Sequence, residues 1–344
     1  MNIEKVNLSN PFEKKEVIDF LAGFDLKYDD NIDYTVVIRE NDKIIATASK
    51  GKNIIKCFAI DKNHQGEGIS GSILTNVTNK MFDQGYLHSM VFTKTSNQDI
   101  FSGIGYKEVA HTDKVILMEM GINSIDKTIN KIKKDFNIKN ETQKAMLVMN
   151  CNPFTYGHQF LIEKAAAENE EVLIFVVQED KSVFPFKTRY DLVKKGTAHL
   201  SNVKVIPGTE YIISSATFPN YFLRKEDDSL MEYTKLDATI AGKQFGEKLG
   251  INKRYIGEEP YCPVTKKYND ALMEILPEYG MKVILVPRKE LHHTAISASI
   301  VREKLKEGKI EELKEFVPPT TFEFLISPEG KEIEEKQKNS NSPH

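Results

Sequence analysis

The sequence predicts an α/β protein of two domains, an α+β domain followed by a parallel-sheet domain. Three observations carry this expectation. The chain has 344 residues, enough for two domains at roughly 150 residues each. Up to about residue 120, β-type runs lie at hairpin spacing, which calls for antiparallel strands. From Lys144 onward, apolar runs alternate with helical stretches, the pattern of βαβ units joined by right-handed crossovers.

The elements follow in order. Tyr34-Thr-Val-Val-Ile38, Lys43-Ile-Ile-Ala-Thr-Ala48 and Ile54-Ile-Lys-Cys-Phe-Ala-Ile60 read as strands, with Asn41-Asp42 as the turn between the first two. The Lys- and Asn-rich stretch 124–140 is weakly amphipathic and reads as a helical linker. Ala145-Met-Leu-Val-Met149 and Val172-Leu-Ile-Phe-Val-Val177 are buried-strand runs, followed by helical patterns over 159–168 and 189–199. Val203-Lys-Val-Ile206, Arg254-Tyr-Ile256 and Val283-Ile-Leu-Val286 complete the strands. A doubly wound sheet of this kind places its ligands at the carboxyl ends of the strands. The expected domains are therefore 1–122, a linker at 123–143, a catalytic domain at 144–326 and a tail at 327–344. That tail contains a single aliphatic side chain and is expected to remain unordered.

Composition narrows the function. Hydrophobic residues make up 40% and charged residues 28%, an ordinary globular mixture. Lys and Arg number 47 against 50 Asp and Glu, a net charge of −3, so the chain has no bulk attraction for nucleic acid. No apolar run approaches the ~20 residues that cross a membrane. Cys57, Cys151 and Cys262 are far apart and form no CxxC pair, which excludes a disulfide scaffold or a cysteine zinc cluster. A cytoplasmic protein is expected.

The chemistry concentrates in two segments. In Asn152-Pro-Phe-Thr-Tyr-Gly-His158, Pro153 ends the strand, Gly157 permits a tight turn close to a ligand, and His158 lies at a helix N-terminus. The free N–H groups and the positive dipole end there form an anion site, and Thr155 and His158 add side-chain donors. Such a cluster suits an α-phosphate gaining charge in an in-line displacement, where positioning and electrostatics carry the rate. The same residues also suit an ordinary capped helix start. The second segment, Ile296-Ser-Ala-Ser-Ile-Val-Arg302, offers Ser297 and Ser299 at a helix start and Arg302 one turn on, a two-pronged phosphate partner.

Together these segments resemble the T/HxGH and ISSTxxR signatures of the nucleotidyltransferase superfamily. Within it, Asn152 to His158, the run Tyr211-Ile-Ile-Ser-Ser-Ala-Thr-Phe-Pro-Asn-Tyr221, the run from Phe186 to Thr197, and Gly257-Glu-Glu-Pro260 resemble the citrate lyase ligase family across essentially the whole chain. Thr155 replaces the first His of HxGH, and Ala298 stands where ISST has Ser. The resemblance implies a Rossmann-like nucleotidyltransferase domain that uses ATP and acetate to acetylate the prosthetic thiol of the citrate lyase acyl carrier subunit. The reaction would pass through acetyl-adenylate and release AMP and pyrophosphate. It also implies roles: His158 and Thr155 at the α-phosphate, Arg302 and Ser299 at the β- and γ-phosphates, and Asn152, Pro153, Phe154, Gly157, Gly257, Glu259 and Ser297 around the nucleotide. Arg189 is either a second phosphate contact or part of a solvated helix face. Mg²⁺ is expected with the triphosphate, and the sequence names no protein ligand for it.

In the first domain, His64-Gln-Gly-Glu-Gly-Ile-Ser-Gly71 precedes a helical stretch. With Asn97 to Phe101 and Gly103-Ile-Gly-Tyr106, it resembles the GNAT acetyltransferase fold and its coenzyme A loop. Gln65, Gly66, Gly68 and Gly71 would cradle a pyrophosphate, although Ser70 takes the final Gly/Ala position. The loop suits recognition of a coenzyme-A-like arm on the carrier. Cys151 reads as a small apolar filler rather than an acyl acceptor, and His292-His293 as a solvated loop or a phosphate contact ahead of the Ser297 helix rather than a metal pair. Cys262 carries no assigned role, and Asp237 or Glu259 could orient ribose, base or metal. Two other functions compete: a nucleotidyltransferase joining ATP to a phosphorylated cofactor precursor, and a non-catalytic nucleotide or acyl-CoA sensor.

Overall fold

The computed structural model describes residues 2–29, 31–139, 142–179, 182–214, 216, 226–259, 263–291 and 294–339. The chain forms two compact units. Met1–Thr128 joins Ser215–Ile240 in one, and Ile129–Ser214 joins Ala241–His344 in the other. The 215–240 stretch thus belongs to the first unit, although in sequence it interrupts the expected second domain.

The first unit opens with β1 (Ile3–Lys5), α1 (Pro11–Ala22), β2 (Tyr34–Glu40), β3 (Lys43–Gly51) and β4 (Ile54–Ile60). It continues with α2 (Ile69–Asp83), β5 (His88–Lys94), α3 (Gln98–Ser102), β6 (Lys107–His111) and β7 (Val115–Gly121). The sheet order is β1-β2-β3-β4-β5-β7-β6. All pairings are antiparallel except β4 with β5, which pair only at Ile54↔Met90 and Ile55↔Val91 before diverging. The alternation expected of strands decides the two cores. Val36 and Ile38 face Ile73, Leu74 and Val77 of α2, whereas Val37 faces Val17 and Leu21 of α1. Asn41 and Asp42 adopt positive φ, the hairpin-turn geometry their side chains tolerate.

α4 (Ile125–Asp135) links the units, with Ile125, Ile129 and Ile132 on its buried face. Then come β8 (Lys144–Met149), α5 (Tyr156–Glu168), β9 (Glu171–Val176), α6 (Phe186–Gly196) and β10 (Val203–Pro207). α7 (Glu226–Thr239) returns to the first unit: Tyr233 packs on Phe92 at 5.2 Å between ring centroids, and Glu232 accepts from the Thr112 hydroxyl at 2.7 Å. A π-turn over Ile240–Gly246 leads through α8 (Glu247–Leu249) to β11 (Ile251–Gly257), α9 (Pro263–Ile275) and β12 (Lys282–Val286). A hairpin of β13 (Glu290–Leu291) and β14 (Thr294–Ala295) precedes α10 (Ala298–Lys306), α11 (Pro319–Leu325) and α12 (Pro328–Asn339).

This second sheet runs β10-β9-β8-β11-β12, parallel throughout. Both faces are covered, so its strands are apolar on both sides. Val172 and Ile174 of β9 share a core with Ile162 of α5 and Val193 of α6, while Phe175 meets Phe245 of the π-turn at 5.4 Å. Strand order reverses between β8 and β11, the topological switch point of the sheet.

The expected unordered tail is a correction. Residues 328–339 form α12, and Ile333 is buried in a cluster with Val301 and Leu305 of α10 and Leu325 of α11. The tail's lone aliphatic residue suffices because its partners supply the apolar surface. Gly330 lets the helix lie against the Phe324 and Leu325 carbonyls, where a Cβ would come within 2.2 and 2.6 Å.

Candidate active site

The turn after β8 builds the site around one histidine. Thr155 takes extended backbone and caps α5, its hydroxyl accepting the His158 N–H at 3.4 Å. The reciprocal bond completes a capping box: the Thr155 N–H donates to His158 Nδ1 at 3.1 Å, and the Thr155 hydroxyl lies 2.9 Å from the same atom. A backbone N–H can only donate, so Nδ1 is the acceptor nitrogen and the proton resides on Nε2. The tautomer follows from this network, and it leaves Nε2–H as a side-chain donor at the helix N-terminus. His158 is half-buried, with its ring stacked on Phe154 at 5.9 Å and 16° between planes. Burial, and after it the charge of Arg288, hold its pKa down at about 4. At neutral pH it is an uncharged donor.

Several residues expected at the nucleotide shape the turn. Phe154 is fully buried beneath His158, and Gly196 of α6 makes room for it, since a Cβ there would come within 2.3 Å of the Phe154 ring. Asn152 is buried too: its Oδ1 accepts the Phe184 N–H at 3.1 Å, and Pro153 beside it is buried. Arg189 is neither a phosphate contact nor a solvated helix residue. It is fully buried, with Nε donating to Phe184 O, NH1 to Val177 O, Asn150 O and Asn150 Oδ1, and NH2 to Glu179 O. Loop carbonyls at the ends of β8 and β9 converge on it and consume its fork of donors. Cys151 is fully buried, and burial pushes its thiol pKa well up, so it is packing and not an acyl acceptor.

The two sequence motifs meet directly. A Cβ on Gly157 would lie 2.7 Å from the Ile296 carbonyl oxygen, so glycine is required there by backbone approach, not by a positive φ. Arg302, 9% exposed, donates from NH1 to Asn152 O at 2.7 Å and from NH2 to Ser299 Oγ at 3.3 Å. It thereby ties α10 to the β8 turn across 150 residues of sequence. Ser297 caps α10 by accepting the Ile300 N–H, and Ser299 beside it is exposed. Gly257 and Glu259 lie at the carboxyl end of β11, where Gly257 pairs in register with Val286.

Sequence reasoning missed two cations just after β12. Arg288 donates from Nε to Glu258 O at 2.7 Å and pairs through NH2 with Glu259. Lys289 Nζ lies 5.3 Å from the Tyr156 ring centroid and 6.0 Å from that of Phe160, over the start of α5. The signal was their position just past the carboxyl end of a strand in a parallel sheet, the end where such sheets place their ligands. Among the described residues no group of three His, Cys, Asp or Glu could hold a metal ion. Pro260, Cys262, His292, His293 and most of the run from Ser215 to Tyr221 lie outside the described residues, while Asp237 belongs to the first unit.

In the first unit, the divergence of β4 from β5 opens a cavity of about 640 Å³. Its walls include Phe92, Ile100 and Phe101, and Lys62 and Lys94 also line it. Gln65 and Gly66 line it as well. Gly68 caps α2 with a φ of 76°, and Gly71 lies inside that helix; a Cβ on Gly66, Gly68 or Gly71 would meet nothing within 4 Å.

The second unit is a doubly wound parallel α/β domain whose turn after β8 meets the start of α10 at the carboxyl ends of the strands. Residues 144–325 match the family described as the citrate lyase ligase C-terminal domain. The citrate pro-3S-lyase ligase of Escherichia coli (strain K12) is 33% identical over 327 residues, covering 93% of this chain and 92% of its own. That of Haemophilus influenzae (strain ATCC 51907 / DSM 11121 / KW20 / Rd) is 34% identical over 316 residues, 89% and 93% of the two chains. Among solved structures, an aminoglycoside 6'-N-acetyltransferase complexed with coenzyme A is similar over 36% of this chain and 98% of its own, at 13% identity and a TM-score of 0.31. The chain belongs to the citrate lyase ligase family. No described helix is long and apolar enough to cross a membrane.

Proposed function

We propose that this enzyme activates acetate with ATP and transfers the acetyl group to the prosthetic thiol of the citrate lyase acyl carrier subunit. The observation that carries the reading is the Thr155–His158 capping box, which fixes a neutral Nε2–H donor at the start of α5. An acetate oxygen attacks the α-phosphorus in line, the bond to the bridging oxygen of pyrophosphate breaks, and acetyl-adenylate forms. The carrier thiolate then attacks the acetyl carbonyl, giving the acetyl thioester and AMP. The Nε2–H of His158 and the N–H groups opening α5 donate to the α-phosphate as charge develops there. Arg302 and Ser299, on α10, take the β- and γ-phosphates.

Mg²⁺ would be held largely by triphosphate oxygens and water, where it offsets phosphate charge. The first unit's cavity, apolar within and bearing Lys62 and Lys94, suits the carrier's coenzyme-A-like arm.

The test is acetate-dependent exchange of pyrophosphate into ATP, followed by acetyl transfer to the thiol-form carrier. Exchange should fall about 10²- to 10³-fold in His158→Ala, the range for losing one donor to a developing oxyanion. Absence of exchange with acetate or any short carboxylate would sink the reading.

A further inference from the structure

We propose that Asn150 and Ser182 together seat the carboxylate of the acceptor. The proposal rests on the acetate-activation reading and assigns the groups that hold the nucleophile. The two residues follow neighbouring parallel strands, Asn150 directly after β8 and Ser182 in the loop after β9. Both therefore stand at the carboxyl end of the sheet, where such sheets place their ligands. Asn150 also opens the turn that leads to His158.

The Asn150 amide is held in one orientation. Arg189 NH1 lies 2.9 Å from one of its terminal atoms, and a guanidinium can only donate, so that atom is Oδ1 and the other is Nδ2. One N–H of Nδ2 donates to the Ser182 hydroxyl at 3.0 Å. The second N–H has no partner among the described residues, and Asn150 is exposed. Ser182, having accepted that bond, keeps its own hydrogen to give. Within the pair its one acceptor is Oδ1, at 3.3 Å and already engaged by Arg189. The result is two neutral donors 3.0 Å apart, close enough to converge on a single oxygen. A solvent-facing asparagine has no need of a fully buried guanidinium behind it, whereas one that must present its N–H in a fixed direction does.

The neutrality of the pair selects the ligand. A cation beside a carboxylate lowers its basicity and so weakens it as a nucleophile, and neutral donors do this less. Both donors meet the carboxylate oxygen that does not react. The other oxygen attacks the α-phosphorus, the bond to the bridging oxygen of pyrophosphate breaks, and acetyl-adenylate and pyrophosphate result.

Asn150→Asp in the full-length enzyme keeps the size and the acceptor for Arg189 but replaces the donor with an oxygen. Exchange of pyrophosphate into ATP is followed with acetate and ATP titrated separately. The KM for acetate should rise by about 10- to 100-fold, the range for losing a hydrogen bond to a charged group, with the KM for ATP changed less than about threefold. Ser182→Ala removes the second donor without adding charge and should raise the KM for acetate by about 3- to 10-fold at an unchanged urea midpoint. A merely structural pair would instead lower the urea midpoint and move both KM values alike. Equal changes in the two KM values, or an unchanged KM for acetate in both folded variants, would overturn the assignment. Should Asn150→Asp not fold, Ser182→Ala decides by the same two KM values. If the wild type shows no exchange with acetate or any short carboxylate, the activation reading fails first and takes this assignment with it.

Discussion

Replacing Arg189 by methionine separates a structural arginine from a phosphate-binding one. The guanidinium donates to four backbone carbonyls and to Asn150 Oδ1, and the bonds to Phe184 O and Val177 O are wholly buried. Methionine fills much of the volume but leaves those acceptors without donors. Two buried carbonyls at about 1–3 kcal/mol each, with smaller terms from the half-exposed ones, give a loss of about 3–5 kcal/mol. That is a large part of the stability of an ordinary domain. The sequence contains no Trp, so urea unfolding is best followed by far-UV circular dichroism. Two units can unfold in separate steps, and the lost stability should appear in the transition of the parallel-sheet unit. Activity should fall with stability, because the carbonyls of Asn150 and Val177 position the turn that carries His158. A variant with an unchanged urea midpoint and a weakened affinity for ATP alone would refute the reasoning and restore Arg189 as a phosphate contact.

Three further outcomes follow from the geometry. His158 has a folded pKa of about 4 against an ordinary value of 6.5; between these values the unfolded chain binds a proton that the native one does not. Stability should therefore fall as pH drops from 6.5 toward 4, by at most about 3 kcal/mol, and be unaffected by this group above 6.5. Urea midpoints at pH 7.5 and 5 should differ less in His158→Gln, and a wild-type activity inflection at 6.5 traced to His158 would contradict the buried neutral state. Gly157→Ala must push Ile296 away from the α5 turn, because its Cβ would lie 2.7 Å from that carbonyl. It should lower exchange about 10²-fold through misplacement, at a stability cost of about 1–3 kcal/mol, and wild-type kinetics would disprove the close approach. Truncation after Ser327 removes α12 and uncovers Val301 and Leu305. Melting of the parallel-sheet unit should drop by several degrees, whereas an unchanged Tm would show that the helix adds nothing.

Local rules made much of the architecture legible in the sequence. The continuous apolar runs of β2, β8 and β9 depend on neighbours one or two residues away, and the structure keeps them as strands. Thr155 and His158 are three apart, so the capping box that orients the imidazole was also written locally. The partner of a long charged side chain is a different matter. Which carbonyls enclose Arg189, and which carboxylate holds Arg288, depends on which strand ends the sheet order brings together.

The same division explains the remaining differences. The sequence determined that Gly157 stands in the turn, but the Ile296 carbonyl that requires a glycine there comes from a segment some 140 residues later. It also determined that 327–344 is poor in apolar residues, which bounds what that segment can bury by itself and not what α10 and α11 offer it. Membership of 226–239 in the first unit was likewise decided by tertiary contact, through Tyr233 on Phe92 and Glu232 with Thr112. Periodicity and capping are short-range and survive in one dimension. Burial of a charge, closeness of two backbones and the docking of a polar helix exist only once distant segments share the same space.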